Sequence, residues 1–163
     1  MAGYGSDQAF EAWLEENGHE LPANAPDPAV LRQRGSAYID GTYGERFAGQ
    51  PTGGIEQERA WPRTGATIYG QLLVSSVIPQ RVVNASYMAA YLEATSPGSL
   101  TGSIVSGASL VKRERVEGAV EVEYAVSDKT DIAEASRAIV PAIEGLLAPL
   151  LCPATSGVGV WVV

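Results

Sequence analysis

Residues 79–95, PQRVVNASYMAAYLEAT, decide the fold of this chain. Pro79 suits the start of a helix, and the Ser96-Pro97-Gly98 break predicts where that helix stops. Alanine and valine recur at helical spacing in between, and such small side chains permit tight packing. The face that we expect to be buried consists of Val82, Val83, Ala85, Ala89, Ala90 and Leu92.

A shorter helix is predicted near the N-terminus. Ser6 is a favourable N-cap residue. Phe10, Trp13 and Leu14 follow at the i, i+3, i+4 spacing of one helix face. Gly18 then supplies a C-terminal stop.

Another helix is predicted to begin at Pro28, because proline behind Asp27 suits the first helical position. This helix contains Gly35 and Gly41, and glycine inside a helix costs up to ~1 kcal/mol relative to alanine. Two explanations stay open: another helix approaches closely on the glycine face, or the helix stops at Asp40-Gly41.

The second half of the chain predicts a β-hairpin followed by a helix. Residues 110–126 predict two strands around Glu117-Gly118, and the second alternates, with Val120, Val122, Tyr124 and Val126 on one face. A three-residue loop, which opposes Arg115 to Glu121, satisfies more charge than a two-residue turn, and we favour it. The last helix begins after Asp131, and Pro141 kinks or restarts it.

These elements predict a mainly α fold, with about four helices in a bundle, a β-hairpin and an extended C-terminal tail, α+β overall. The chain has 163 residues, which is typical of one domain. We expect a single domain over residues 1–153, with a long irregular loop at 44–78, and an extended arm at 154–163. Long irregular loops in compact domains are often functional.

The charge of the chain limits its partners. The formal net charge is −8, and the first 31 residues carry six carboxylates and no lysine or arginine. Proteins that bind nucleic acid independently of sequence cluster basic residues against the phosphates. The acidic surplus therefore argues against tight DNA binding, whereas it suits a wall that DNA passes without adhering.

Composition also limits the chemistry. A single cysteine, Cys152, and a single histidine, His19, exclude a disulfide framework and the usual zinc site, and the histidine is expected to be exposed. The phosphate-binding glycine motifs are absent, and Ser109 with Lys112 match S-x-x-K without its companion motifs. We expect no enzyme, no cofactor and no metal. The sequence also contains no apolar run long enough for a membrane span and no secretory-signal pattern.

One candidate interaction surface lies in the long loop. Trp61, Pro62 and Arg63 are adjacent there, and tryptophan and arginine are enriched at protein interfaces. The alternative is that Trp61 fills the core of its own domain. In that case Arg63 is expected to pair with Asp40 or Glu45.

The other candidate surface is the uncharged arm, which either needs a partner's edge or groove or completes the chain's own sheet. We expect it to act on a partner, because a free segment of this composition promotes aggregation. Its apolar residues are Val158, Val160, Trp161, Val162 and Val163.

Several motifs occur in an order that resembles a known family. AWPRTGA at residues 60–66 is the most specific, and YIDG at 38–41, EVEY at 121–124 and LLAPLL at 146–151 are weaker. Over residues 6–151 the chain resembles small structural proteins of tailed bacteriophages. These are described both as head–tail connectors, or adaptors, and as DnaT-like single-stranded DNA-binding proteins.

The resemblance implies a largely helical adaptor that forms a dodecameric ring between the portal and the tail. Its expected partners are further copies of itself, the portal protein, a tail-completion or tail-terminator protein, and genomic DNA that passes through the channel without specific binding. Its expected location is the neck of the virion, and the host cytoplasm before assembly. The alternative that the resemblance implies is a DnaT-like single-stranded DNA-binding module.

Overall fold

The computed structural model describes residues 2–98, 100 and 141–152, and the backbone of residues 114–115 and 121–122. The helices of these residues are α1 (Asp7–Glu16), α2 (Pro28–Tyr43), α3 (Gln80–Thr95) and α4 (Pro141–Leu147). The strands form antiparallel pairs of two residues each: β1 (Gln50–Pro51) with β2 (Arg63–Thr64), β3 (Thr67–Ile68) with β4 (Gln71–Leu72), and β5 (Glu114–Arg115) with β6 (Glu121–Val122). Within the described residues, this architecture confirms the predicted α+β class with four helices.

The closest helix contact joins α2 to α3 at Gly35. A side chain at Gly35 would collide with the carbonyl oxygen of Ser86 and lie 2.8 Å from the backbone nitrogen of Ala90. The expectation of close helix approach is therefore confirmed. The competing expectation, that α2 stops at Asp40-Gly41, is wrong, because α2 continues to Tyr43.

The α1 helix forms as the sequence predicts. The hydroxyl of Ser6 accepts a hydrogen bond from the backbone N–H of Ala9 at 3.1 Å, which caps the helix. Phe10 and Leu14 are buried, and the ring of Phe10 lies 5.1 Å from that of Tyr87 on α3. Gly18 follows the helix with a φ of +66°, a conformation that favours glycine.

The last described helix, α4, begins at Pro141. The predicted kink or restart at this proline stays a prediction, because residues 131–140 lie outside the described residues. Ile143 and Leu147 are buried against α3, and a 3₁₀-helix, Ala148–Leu150, continues the chain. The predicted start after Asp131 lies outside the described residues.

The β5–β6 pair has the register that the charge argument favours, because Arg115 lies opposite Glu121. The predicted arm at 154–163, with the interface candidates Val158, Val160, Trp161, Val162 and Val163, lies outside the described residues. The division of the chain at residue 153 stays a prediction.

The segment 44–78 is more ordered than the long irregular loop that the sequence predicts. It contains β1 to β4 and two 3₁₀-helices, Gly44–Arg46 and Gly54–Glu56. Strands of two residues leave almost no periodicity in a sequence, which explains why the pattern was not visible. The segment packs on the ends of the bundle, where Phe47 forms a bridge with Leu151.

Candidate functional site

A buried arginine holds the 44–66 part of this segment together. Arg63 is only 6% exposed, and its guanidinium donates to backbone carbonyls rather than to a carboxylate. Burial lowers the pKa of this guanidinium from its ordinary value. The acceptors are the carbonyl oxygens of Gly49 at 2.6 Å, Ala48 at 2.9 Å, and Phe47 and Ala60 at 3.2 Å.

Trp61 lies in the core of the described chain, 1% exposed, with its ring edge-on to Phe47 at 5.5 Å. Pro62, joined to it by a cis peptide bond, is half-buried. This corrects the proposal that Trp61, Pro62 and Arg63 form a surface anchor, since the two large side chains point inward. The structure instead favours the alternative that Trp61 fills its own domain's core.

Arg63 pairs with neither Asp40 nor Glu45, and Asp40 pairs instead with another arginine. Arg59 Nη1 lies 3.1 Å from Asp40 Oδ2, and the hydroxyl of Tyr4 donates to Asp40 Oδ1. The backbone N–H of Trp61 donates to the same hydroxyl at 3.2 Å. Burial, and after it the Asp40 carboxylate, raises the pKa of Tyr4 far above its ordinary value. This group of side chains fastens the N-terminus, α2 and the loop to one another.

Arg32 on α2 is a third inward-facing arginine. It is 7% exposed, its Nε lies 2.7 Å from Asp7 Oδ1, and its Nη1 donates to the carbonyls of Gly3, Tyr4 and Gly5. Because these donors are engaged by the protein itself, they are not free to bind phosphate groups.

The surface of the described residues is predominantly acidic. Arg34 and Arg46 have the most exposed guanidinium side chains among the described ion pairs, and they pair with Glu93 and Glu144. Exposed carboxylates outnumber them; they are Asp7, Glu11, Glu15, Glu16, Glu20, Asp27, Glu45, Glu56 and Glu58. The part of the chain that the structure describes therefore presents no basic groove of the kind that binds single strands.

The most distinctive exposed feature is apolar. Residues 67–77, which we call the apolar hairpin, consist of β3, β4 and the turn that follows them. Tyr69 is 77% exposed, Leu72 73%, Val74 66% and Val77 52%. Residues 64–80 contain no charged side chain. Exposed apolar side chains grouped in one short segment mark interaction sites more often than scattered ones do.

The hairpin is fixed at its base. The backbone N–H of Leu73 donates to the carbonyl of Ala66 at 2.9 Å, and the hydroxyl of Thr52 donates to the carbonyl of Ser75 at 2.7 Å. Ile68 and Leu73 pack against the core. The exposed side chains therefore stand on a fixed base, as a docking surface requires.

This hairpin was not predicted from the sequence. A signal was present, since a two-residue turn, Tyr69-Gly70, separates short apolar runs within an uncharged stretch. His19, which was predicted to be exposed, is instead half-buried between aromatic rings. Its imidazole stacks on Tyr91 at 4.2 Å and lies 5.4 Å from the ring of Trp13.

Within the described residues, no group of histidine, cysteine, aspartate and glutamate side chains is arranged to hold a metal ion. None of the described helices is both long and apolar enough to cross a membrane.

The fold and these surfaces define a small α+β module whose buried arginines bind its own backbone and carboxylates, and whose acidic surface carries an exposed apolar hairpin. The chain belongs to the family described as "Putative DnaT-like ssDNA binding protein", whose model matches residues 2–163. Among curated proteins and among solved structures, none matches the chain. The family description favours single-stranded DNA binding, the alternative in the sequence argument, over the head–tail adaptor.

Proposed function

We propose that the chain is a structural subunit that acts through protein–protein contacts, and specifically a head–tail adaptor of a tailed bacteriophage. The observation that carries this proposal is the apolar hairpin, an uncharged surface on an otherwise acidic molecule. In this role the chain forms a ring, expected to be dodecameric, in the neck of the virion. It contacts the portal protein on one side and a tail-completion or tail-terminator protein on the other.

The use of arginine supports a protein-binding role. Arg32, Arg59 and Arg63 donate to carbonyls or to a carboxylate of the same chain. A phosphate group would have to compete with these buried bonds, at a cost of several kcal/mol. An acidic surface suits a subunit beside passing DNA, because it repels the phosphates and leaves the DNA free to slide.

The second candidate function is single-stranded DNA binding, and the family description favours it. In the sequence, Lys112, Arg113 and Arg115 form a cluster of basic residues in the β5–β6 region. A DNA-binding role would depend chiefly on this cluster, since Arg32, Arg59 and Arg63 bond within the chain and Arg34 and Arg46 pair with carboxylates.

A binding titration separates the two candidates. The full chain is titrated into a fluorescently labelled dT30 oligonucleotide, and anisotropy is recorded between 50 and 300 mM NaCl. The adaptor role predicts a Kd weaker than about 10 µM at 150 mM NaCl and a shallow salt dependence. A sub-micromolar Kd with a steep negative salt slope, lost in a K112E/R113E variant, would establish the DNA-binding role instead.

The adaptor role has its own positive test. Mass spectrometry of purified phage particles is expected to find the chain in complete virions at a constant ratio to the portal protein. Labelling with antibody is expected to place it at the neck. Absence from purified particles, with the chain present in infected cells, would contradict the proposal.

A further inference from the structure

The apolar hairpin carries an aromatic side chain at a position where its backbone favours another residue. Tyr69 and Gly70 form the two-residue turn and have φ of +50° and +79°. A two-residue hairpin loop with positive φ at both positions is a type I′ turn, for which Asn-Gly is the preferred sequence. Tyrosine in the left-handed region is uncommon, so the chain holds an exposed ring at the tip despite its backbone preference.

The hairpin also offers a backbone template. Its sheet has two strands in the order β3–β4; the 3₁₀-helix at 148–150 packs on β3, whereas β4 has no second strand neighbour among the described residues. An open edge beside apolar side chains is the arrangement to which an extended segment adds as a further strand.

The sequence contains a segment of matching chemistry. Residues 154–163, ATSGVGVWVV, carry no charged side chain, and Val158, Val160 and Val162 alternate as in a strand. Such a segment brings no charged side chain to the hairpin, beside which Arg81 Nη2 lies 3.5 Å from the hydroxyl of Tyr69.

The direction of the chain before this segment argues that it reaches another copy. The N–H of Ala48 donates to Leu150, Leu151 pairs with Phe47, and the N–H of Cys152 donates to Arg46. Residues 150, 151 and 152 therefore contact residues 48, 47 and 46 in turn, so the chain leads away from the hairpin. The 3₁₀-helix at 148–150, which packs on β3, precedes this departure. Pro153 and residues 154–163 follow in the sequence, and they lie outside the described residues.

We propose that the apolar hairpin of one copy is the docking site for residues 154–163 of a second copy, which add a strand to its open edge. The inference deepens the proposed function, because it names the surface by which subunits join head to tail. Tyr69 and Leu72 are its exposed anchors, and their packing on the incoming valines accounts for the aromatic ring at the turn.

The first test measures the mass of the full chain by light scattering over a concentration series. Y69N/L72S is expected to fold with an unchanged or higher melting temperature, since asparagine suits the turn, and to weaken self-association at least tenfold. V160S/V162S in the full chain is expected to weaken it equally. The matched control is V30S, which changes an exposed apolar residue on α2 and is expected to leave association unchanged.

The second test distinguishes a neighbour's segment from the chain's own. Cys152 is the single cysteine of the chain, so C152S is the background for two separate variants, L72C and V160C. Mixing them under mild oxidation is expected to give a linked band of twice the monomer mass, well above either variant alone. If only the double variant L72C/V160C links, and it does so within one chain, the segment docks on its own hairpin and the proposal is overturned.

A full chain that stays monomeric at millimolar concentration would also overturn the inference. So would self-association that Y69N/L72S does not weaken. Neither result would decide the proposed function, which depends on the presence of the chain in the neck of the virion. Absence from particles with intact hairpin-dependent association would refute the adaptor role and leave the docking site standing.

Discussion

Arg63 contributes to this protein as a structural residue, because its planar guanidinium donates to carbonyls at four positions of the loop at once. Lysine keeps the charge but lacks the fixed geometry of these donors. We expect Arg63→Lys to lower the free energy of unfolding in urea by about 2–3 kcal/mol, since buried carbonyls lose their partners. Arg34→Lys, at a half-exposed guanidinium that pairs with Glu93, is the control and should change it by less than about 0.5 kcal/mol. Equal effects of the two changes would contradict this role.

Tyr4 predicts how stability depends on alkaline pH. Burial and Asp40 raise its pKa in the folded state, and burial raises that of Tyr43 to about 12. Unfolded tyrosine has a pKa of about 10. Below pH 10 the Tyr4 hydroxyl keeps its proton in both the folded and the unfolded state, and its contribution to the free energy of unfolding is complete. Above it the unfolded state releases the proton first, so stability falls as pH rises.

The expected slope is about 1.4 kcal/mol per pH unit for each such tyrosine. Between pH 10 and 11.5 the free energy of unfolding of Tyr4→Phe should therefore fall less steeply, by up to about 1.4 kcal/mol per pH unit. At pH 8 the free energy of unfolding of the same variant should be lower by about 1–3 kcal/mol, because Asp40 loses a buried hydrogen-bond donor. Urea unfolding at each pH measures both effects, and an unchanged alkaline slope would show that Tyr4 ionises equally in both states.

At the scale of elements, two glycines of α2 provide a matched pair. Gly35 faces the α3 backbone, whereas a side chain at Gly41 would meet open space. We expect Gly35→Ala to destabilise the fold by about 2–4 kcal/mol, since the helices must separate to admit a methyl group. Gly41→Ala should stabilise it by up to about 1 kcal/mol through helix propensity. Thermal melts of the two variants test this, and the same sign for both would refute the close-approach argument.

Elements with strong local signals could be predicted from the sequence, and elements held by long-range contacts could not. Ser6 and Pro28 mark helix starts through local capping chemistry, and α1 and α2 begin where expected. The β1 and β2 strands are two residues long, and Arg63 beside them bonds to carbonyls 14–16 positions away. No local pattern encodes such a bond, so Trp61 was considered for the surface.

Over the whole molecule, charged side chains and exposed apolar side chains lie in separate parts of the chain, and this separation affects assembly. The described arginines of the interior fix the N-terminus and the loop, while carboxylates occupy the exposed positions around them. Residues 64–80 form an uncharged stretch within this surface. Like-charged copies therefore repel one another at long range, and the hydrophobic effect must supply the attraction at contact.

This separation predicts the sign of the salt dependence of self-association. Each copy carries a formal net charge of −8, and salt screens this repulsion without weakening the apolar contact. We expect the association constant of the full chain, measured by sedimentation at pH 7.5, to rise at least about threefold between 50 and 500 mM NaCl. The opposite sign holds for DNA binding, because salt weakens contacts between cations and phosphates. V30S controls for general effects of salt on apolar surface and should follow the unmodified chain. An association constant that falls as salt rises would mean that ion pairs, and not the apolar hairpin, join the copies.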